Sequence, residues 1–129
     1  MTRLISALLA ALFAANALAM LAAPAIWYGV VPGVPATGPF NAHFVRDIGA
    51  AYLVASLGLA WFSLSPLRAW PALVCAAVFL CAHAAIHLHD ALLSPVCGQD
   101  LVRDLPGVFA PALIAAVLAV LARPRASLK

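Results

Sequence analysis

The residues of this chain whose types and spacing could do chemistry are four histidines and four aspartates, and glutamate is absent altogether. His83, His87 and Asp90 follow i, i+4, i+7 spacing, and His43 and Asp47 are i, i+4, so each set would share one face of a helix. His89 points away from the first set. An imidazole and carboxylate group of this kind, drawn from His43, Asp47, His83, His87 and Asp90, could ligate zinc, iron, copper or manganese. Spare members would accept from the ligands' N–H groups. Without metal, the same His–Asp pairs titrate near neutral pH and could hold or pass a proton. A third reading is a satisfied polar network that specifies helix packing. Two histidines at similar height could also be axial ligands of a haem, but the adjacent carboxylates favour a compact ion, and no Cys-x-x-Cys-His attachment is present. A carboxylate-bridged dimetal centre would need Glu-x-x-His pairs; His87 to Asp90 has the spacing with the shorter acid.

The elements that must position these groups are membrane spans. Of the 129 residues, 67% are hydrophobic and 9% charged, whereas soluble domains run at roughly 25% charged. A water-soluble enzyme is excluded. Four apolar runs of bilayer-spanning length read as helices over about 4–23, 42–62, 71–91 and 105–122, making residues 1–129 a single transmembrane domain, an all-α four-helix bundle. The first run resembles a secretory signal with small residues near Ala17-Leu18-Ala19, but it is longer than a signal's apolar core and reads as a retained helix. Asn41 is placed to cap the second helix, with Phe40 stapling on Val45. Pro71 suits the first turn of the third, Ser94-Pro95 ends it, and Pro111 predicts a kink in the fourth.

Basic residues orient the bundle, because short cytoplasmic loops keep lysine and arginine. Arg3, Arg68, Arg123, Arg125 and Lys129 fall on one side and only Arg46 and Arg103 on the other. The expected topology is therefore a multi-pass protein of a bacterial inner membrane with both termini cytoplasmic. Segments 24–41 and 92–104 would face outward. Trp27 and Tyr28 at the outer side, with Trp61 and Trp70 at the inner, fit interfacial aromatics. The net charge of +3 is a topology signal, not a nucleic-acid footprint, and the basic rim would favour anionic lipids.

With that topology every histidine and aspartate falls in the outer half or the outer loops. Asp47 and His87 are each twenty residues from the turn at Leu67, so two antiparallel helices would bring them to equal depth. His43 would sit level with Asp90, and His83 one turn deeper. Charged groups at such depth need partners. Asp47 has a helix N-terminus and Asp104 could cap the fourth helix, whereas Asp90 lies at a helix C-terminus, where a cation is wanted. Ala7, Ala11, Ala15, Ala19 and Ala23 form an i, i+4 ridge, and Ala112, Ala116 and Ala119 a second stripe, expected to pack helices closely within the chain, with self-association as the other use. Val45-Arg46-Asp47-Ile48-Gly49 echoes Val102-Arg103-Asp104-Leu105-Pro106-Gly107, suggesting two hairpins in parallel repeat. Cys75 and Cys81 read as apolar fillers of the third helix and Cys97 as a loop thiol in an oxidising compartment. Asn16 is placed for an interhelical hydrogen bond.

The apolar first helix, the segment Gly38-Pro39-Phe40-Asn41-Ala42-His43-Phe44-Val45-Arg46-Asp47-Ile48-Gly49 and the pattern His83-Ala84-Ala85-Ile86-His87 together resemble the small four-helix bacterial membrane proteins of the DoxX-like kind. That resemblance covers most of the chain and implies a role beside a quinone-linked electron-transfer partner; it carries no catalytic motif. The residues themselves point to an outward-facing His/Asp site that binds a transition metal or handles protons, supporting a redox reaction of a membrane-soluble substrate. The alternative is a non-catalytic subunit or assembly factor, packed on a membrane protein partner or on itself through the alanine-rich helices.

Overall fold

The computed structural model describes residues 1–124 and is all-α, with no strand among the described residues. Its helices are α1 (Thr2–Ala22), α2 (Pro24–Val30), α3 (Ala42–Leu64), α4 (Pro66–Leu93), α5 (Cys97–Asp104) and α6 (Ala110–Leu121), with a 3-10 turn at Val34–Thr37 and a π turn at Leu105–Phe109 between α5 and α6. Local chemistry explains most of the boundaries. The Asn41 side chain accepts from the amides of His43 and Phe44, which opens α3 as expected. Pro24 and Pro66 stand at the first positions of α2 and α4, where a missing N–H costs nothing. The third span thus opens at Pro66 and not at Pro71; Pro71 sits inside α4, in its second turn, and leaves the Leu67 carbonyl without its usual donor. Around the start of α6, Pro106 in the preceding turn and Pro111 in the first turn of α6 deprive the carbonyls of Val102 and Gly107 of their usual donors. The chain answers with a wider turn, in which the Ala110 amide bonds the Leu105 carbonyl five residues back.

Four spans result: Thr2–Ala22, Ala42–Leu64, Pro66–Leu93 and the composite Cys97–Leu121, each long and apolar enough to cross a membrane. They form a bundle in which α1 packs on α3, α3 on α4 and α4 on α6, and α6 returns to touch α1. Glycine permits the closest crossings. A β-carbon at Gly49 would lie 2.9 Å from Met20 Cβ, and one at Gly58 would lie 3.0 Å from the Ala72 carbonyl oxygen. The core holds Phe13, Ala17, Met20, Leu59, Phe62, Leu73, Leu80 and Ala115, while Leu8, Leu57, Val78 and Leu113 are all more than 60% exposed. Large apolar side chains turned outward beside a core of mixed alanine, leucine and aromatic residues fit a lipid-solvated bundle, since association in lipid depends on close packing and not on apolar burial.

The alanine ridge of α1 does not pack within the chain. Ala11, Ala15 and Ala19 are exposed, and the buried stripe of α1 runs through Ser6, Ala10, Phe13, Ala17 and Met20. The reason is that Ser6 and Phe13 win the interior: Ser6 Oγ donates to the Leu59 carbonyl at 2.8 Å, and Phe13 stacks on Tyr52 with ring centroids 5.4 Å apart. On α6, Ala112 of the expected stripe is buried while Ala116 and Ala119 are half-buried, and the buried face runs instead through Ala112, Ala115 and Leu118. Cys75 and Cys81 are exposed, not core fillers.

Charge sorts to the two ends. Arg3 donates to the carbonyls of Ser63 and Leu64, closing the carboxyl end of α3, and Arg68 and Arg123 lie exposed at that same end. Arg125 and Lys129 lie outside the described residues. At the opposite end Arg46 reaches the Leu21 carbonyl at 3.4 Å, and all four aspartates gather there. Asn16 accepts from the Trp27 indole at 2.8 Å and so ties α2 to α1, the interhelical bond expected. The connection from α2 to α3 opens with a type II turn: the Val34 amide bonds the Val31 carbonyl, Pro32 is at its second position, and Gly33 at its third has φ +85. Tyr28 braces the rest of this connection through its hydroxyl, whose one proton goes to the Gly38 carbonyl with the Pro35 carbonyl 3.3 Å away, and through its ring, which packs on Phe40.

Candidate functional site

The polar site forms where the carboxyl end of α4 meets α5. The turn at Ser94–Val96 folds α5 back along α4, and the last residue of α5, Asp104, meets His87. His87 Nδ1 lies 2.7 Å from Asp104 Oδ2, and because an ionised carboxylate can only accept, the imidazole donates from Nδ1 and its Nε2 is the nitrogen left over. Asp104 is 8% exposed. A buried carboxylate needs charge-assisted partners, and Arg103 provides them: its Nε donates to Oδ1 at 2.6 Å and its Nη2 to Oδ2 at 3.0 Å. The remaining arm, Nη1, donates to Asp100 Oδ1 at 2.6 Å, the i, i+3 neighbour on α5. One guanidinium therefore faces two carboxylates, which leaves one negative charge when His87 is neutral and none when it is protonated.

His83 sits one turn deeper, about 6 Å along the helix axis. Its ring centroid is 4.6 Å from that of His87, and it meets Tyr52 edge-on at 5.5 Å and lies beside Phe79 at 6.3 Å. Tyr52 in turn contacts Phe13 and Phe79. A column of rings thus runs from the apolar middle of the bundle to the ion cluster at its end, and it holds both imidazoles on one side of α4.

Of the five residues singled out by spacing, His83 and His87 are brought together. His43 and Asp47 pair with each other at 3.3 Å on the outside of α3, 88% and 60% exposed. Asp90 lies 3.2 Å from His89 at the exposed end of α4, so its partner is the imidazole that pointed away from the set. The carboxylate that meets His87 is Asp104 and not Asp47, and Asp104 makes no capping bond to the following turn. Among the described residues no three His, Cys, Asp or Glu side chains are grouped as a metal site. The two echo segments occupy unlike surroundings: Val45 is buried and Asp47 exposed, while Val102 is exposed and Asp104 buried.

Sequence reasoning missed Arg103 and Asp100 as members of the cluster. A signal was there, since Asp100, Arg103 and Asp104 fall within one helical turn, but it lay in a segment whose polarity reads as loop. Compared with protein-family models, with curated proteins and with solved structures, the chain matches none.

Proposed function

We propose that this multi-pass membrane protein handles protons at the His87–Asp104 pair, near the outer face of a bacterial inner membrane, with both termini cytoplasmic. The carrying observation is the 2.7 Å contact between His87 Nδ1 and a carboxylate that Arg103 grips with two bonds. A fixed carboxylate behind Nδ1 sets the tautomer and stabilises the imidazolium, leaving Nε2 to take a proton from water or from a membrane-soluble substrate and to return it. Support for the orientation is the collection of Arg3, Arg68 and Arg123 at the end opposite the aspartates. Infrared difference spectra of vesicle-reconstituted protein, recorded across a pH step, test the proposal. Paired imidazole and carboxylate bands should appear and should both vanish in His87→Gln and in Asp104→Asn; bands unchanged in either variant would contradict it.

A second reading keeps a transition metal, zinc, iron, copper or manganese. What favours it is that ligating imidazoles are commonly backed by a carboxylate on the other ring nitrogen, as His87 is, and that His83 stands beside it. Water or a partner's groups would complete the shell. Stoichiometric metal in purified wild type that disappears in His83→Ala and His87→Ala would establish this reading over the first. A non-catalytic subunit, in line with the DoxX-like resemblance, draws its support from the exposed ridge of Ala11, Ala15 and Ala19; purification in mild detergent should then recover a defined partner.

A further inference from the structure

We propose that Gly33 is a positioning residue for the site: the turn between α2 and α3 lays a bare α-carbon against the Arg103 guanidinium and so holds the arginine on Asp104. This rests on the reading of His87–Asp104 as the working pair and adds the element that fixes it from outside.

A β-carbon built on Gly33 would stand 2.6 Å from Arg103 Cζ, 2.6 Å from Nε and 2.8 Å from Nη1, against the flat face of the guanidinium whose in-plane N–H groups grip the carboxylates. Contacts under 3.0 Å cannot be met without movement, and Arg103 cannot move freely, because all three of its nitrogens are engaged with Asp104 and Asp100. The turn that presents Gly33 is itself stiff. Pro32 presets its second position, Thr37 Oγ1 donates to the Val34 carbonyl at 2.8 Å, and Tyr28 ties Pro35 and Gly38 to α2. The α2–α3 connection and α5, distant in sequence, therefore meet at one guanidinium, and the close approach of Gly33 leaves Arg103 room in the position where it serves Asp104.

The test uses full-length protein, labelled with nitrogen-15 and held in lipid nanodiscs, with two resonances followed by NMR: the Arg103 Nε–H and the His87 Nδ1–H. Gly33→Ala should abolish the slow-exchanging Arg103 signal and the low-field His87 signal together. Gly33→Asn should do the same; asparagine tolerates positive φ, so a loss there reports the contact and not backbone strain, and this variant serves where Gly33→Ala folds poorly. Gly98→Ala, with nothing within 4 Å of its would-be β-carbon on α5, should keep both signals. Retention of both signals in Gly33→Asn, with wild-type exchange rates, would overturn the role of Gly33 and leave the His87–Asp104 pair intact. A wild-type His87 signal indifferent to Asp104→Asn would instead overturn the pair, while the Arg103 signal still judges Gly33 by itself.

Discussion

Asp104 is held from two sides, by an imidazole on α4 and by a guanidinium on its own helix, and the consequences of removing it follow from that. Asp104→Ala leaves Arg103 with Asp100 alone and His87 without an acceptor; since both of these partners are partly exposed, the loss should cost about 2 kcal/mol, measured by unfolding in mixed detergent micelles. The exposed pairs should behave otherwise. His43→Ala and His89→Ala should each change stability by less than about 0.5 kcal/mol and leave the infrared bands of the site untouched. His83 and His87 were legible in the sequence, because i, i+4 spacing fixes two side chains on one helix face wherever that helix lies. Asp104 as their partner was not. Choosing between Asp47 and Asp104 depends on whether α5 folds back along α4, and that is decided by the tertiary course of a segment too polar to show a buried stripe.

At the scale of the helices, proximity is set by residues with no side chain to spare. Gly49 faces Met20 across the α1–α3 crossing, and Gly58 faces the Ala72 carbonyl across α3–α4. Gly49→Val should therefore lower stability by about 2 kcal/mol through overpacking, whereas Gly98→Ala on α5, with open space around its β-position, should be neutral or gain a few tenths of a kcal/mol; thermal unfolding in the same detergent reads both. All four spans could be read from the apolar runs, and the Asn41 cap from its residue type. Less legible were the ends shaped by proline. Pro71 looked like a helix start because proline favours first turns, yet Pro66 five residues earlier holds the same credential and comes first. The π turn at Leu105–Phe109 needed two prolines to act jointly, and α2 was too short for a periodic signal.

For the molecule as a whole, an even number of spans puts both ends of the chain on one side, and the basic residues make that side the cytoplasmic one in the proposed topology. In a variant keeping only Cys97, a membrane-impermeant thiol reagent added to intact cells should label the protein; labelling only after the cells are opened would reverse the orientation. The all-α bundle was plain from composition, since four runs of that length leave no other way to satisfy the backbone in lipid. Its inward faces were not, because in a chain this apolar nearly every face of a helix could be buried, and only the polar and aromatic partners of Ser6 and Phe13 show which one is. What ties bundle, helices and residues together is the link between His87 and Asp104, and a double-mutant cycle measures it directly. Unfolding free energies of wild type, His87→Gln, Asp104→Asn and the double variant should give a coupling of about 1.5 kcal/mol or more, and additive effects, within about 0.3 kcal/mol, would show that the two groups do not act on each other.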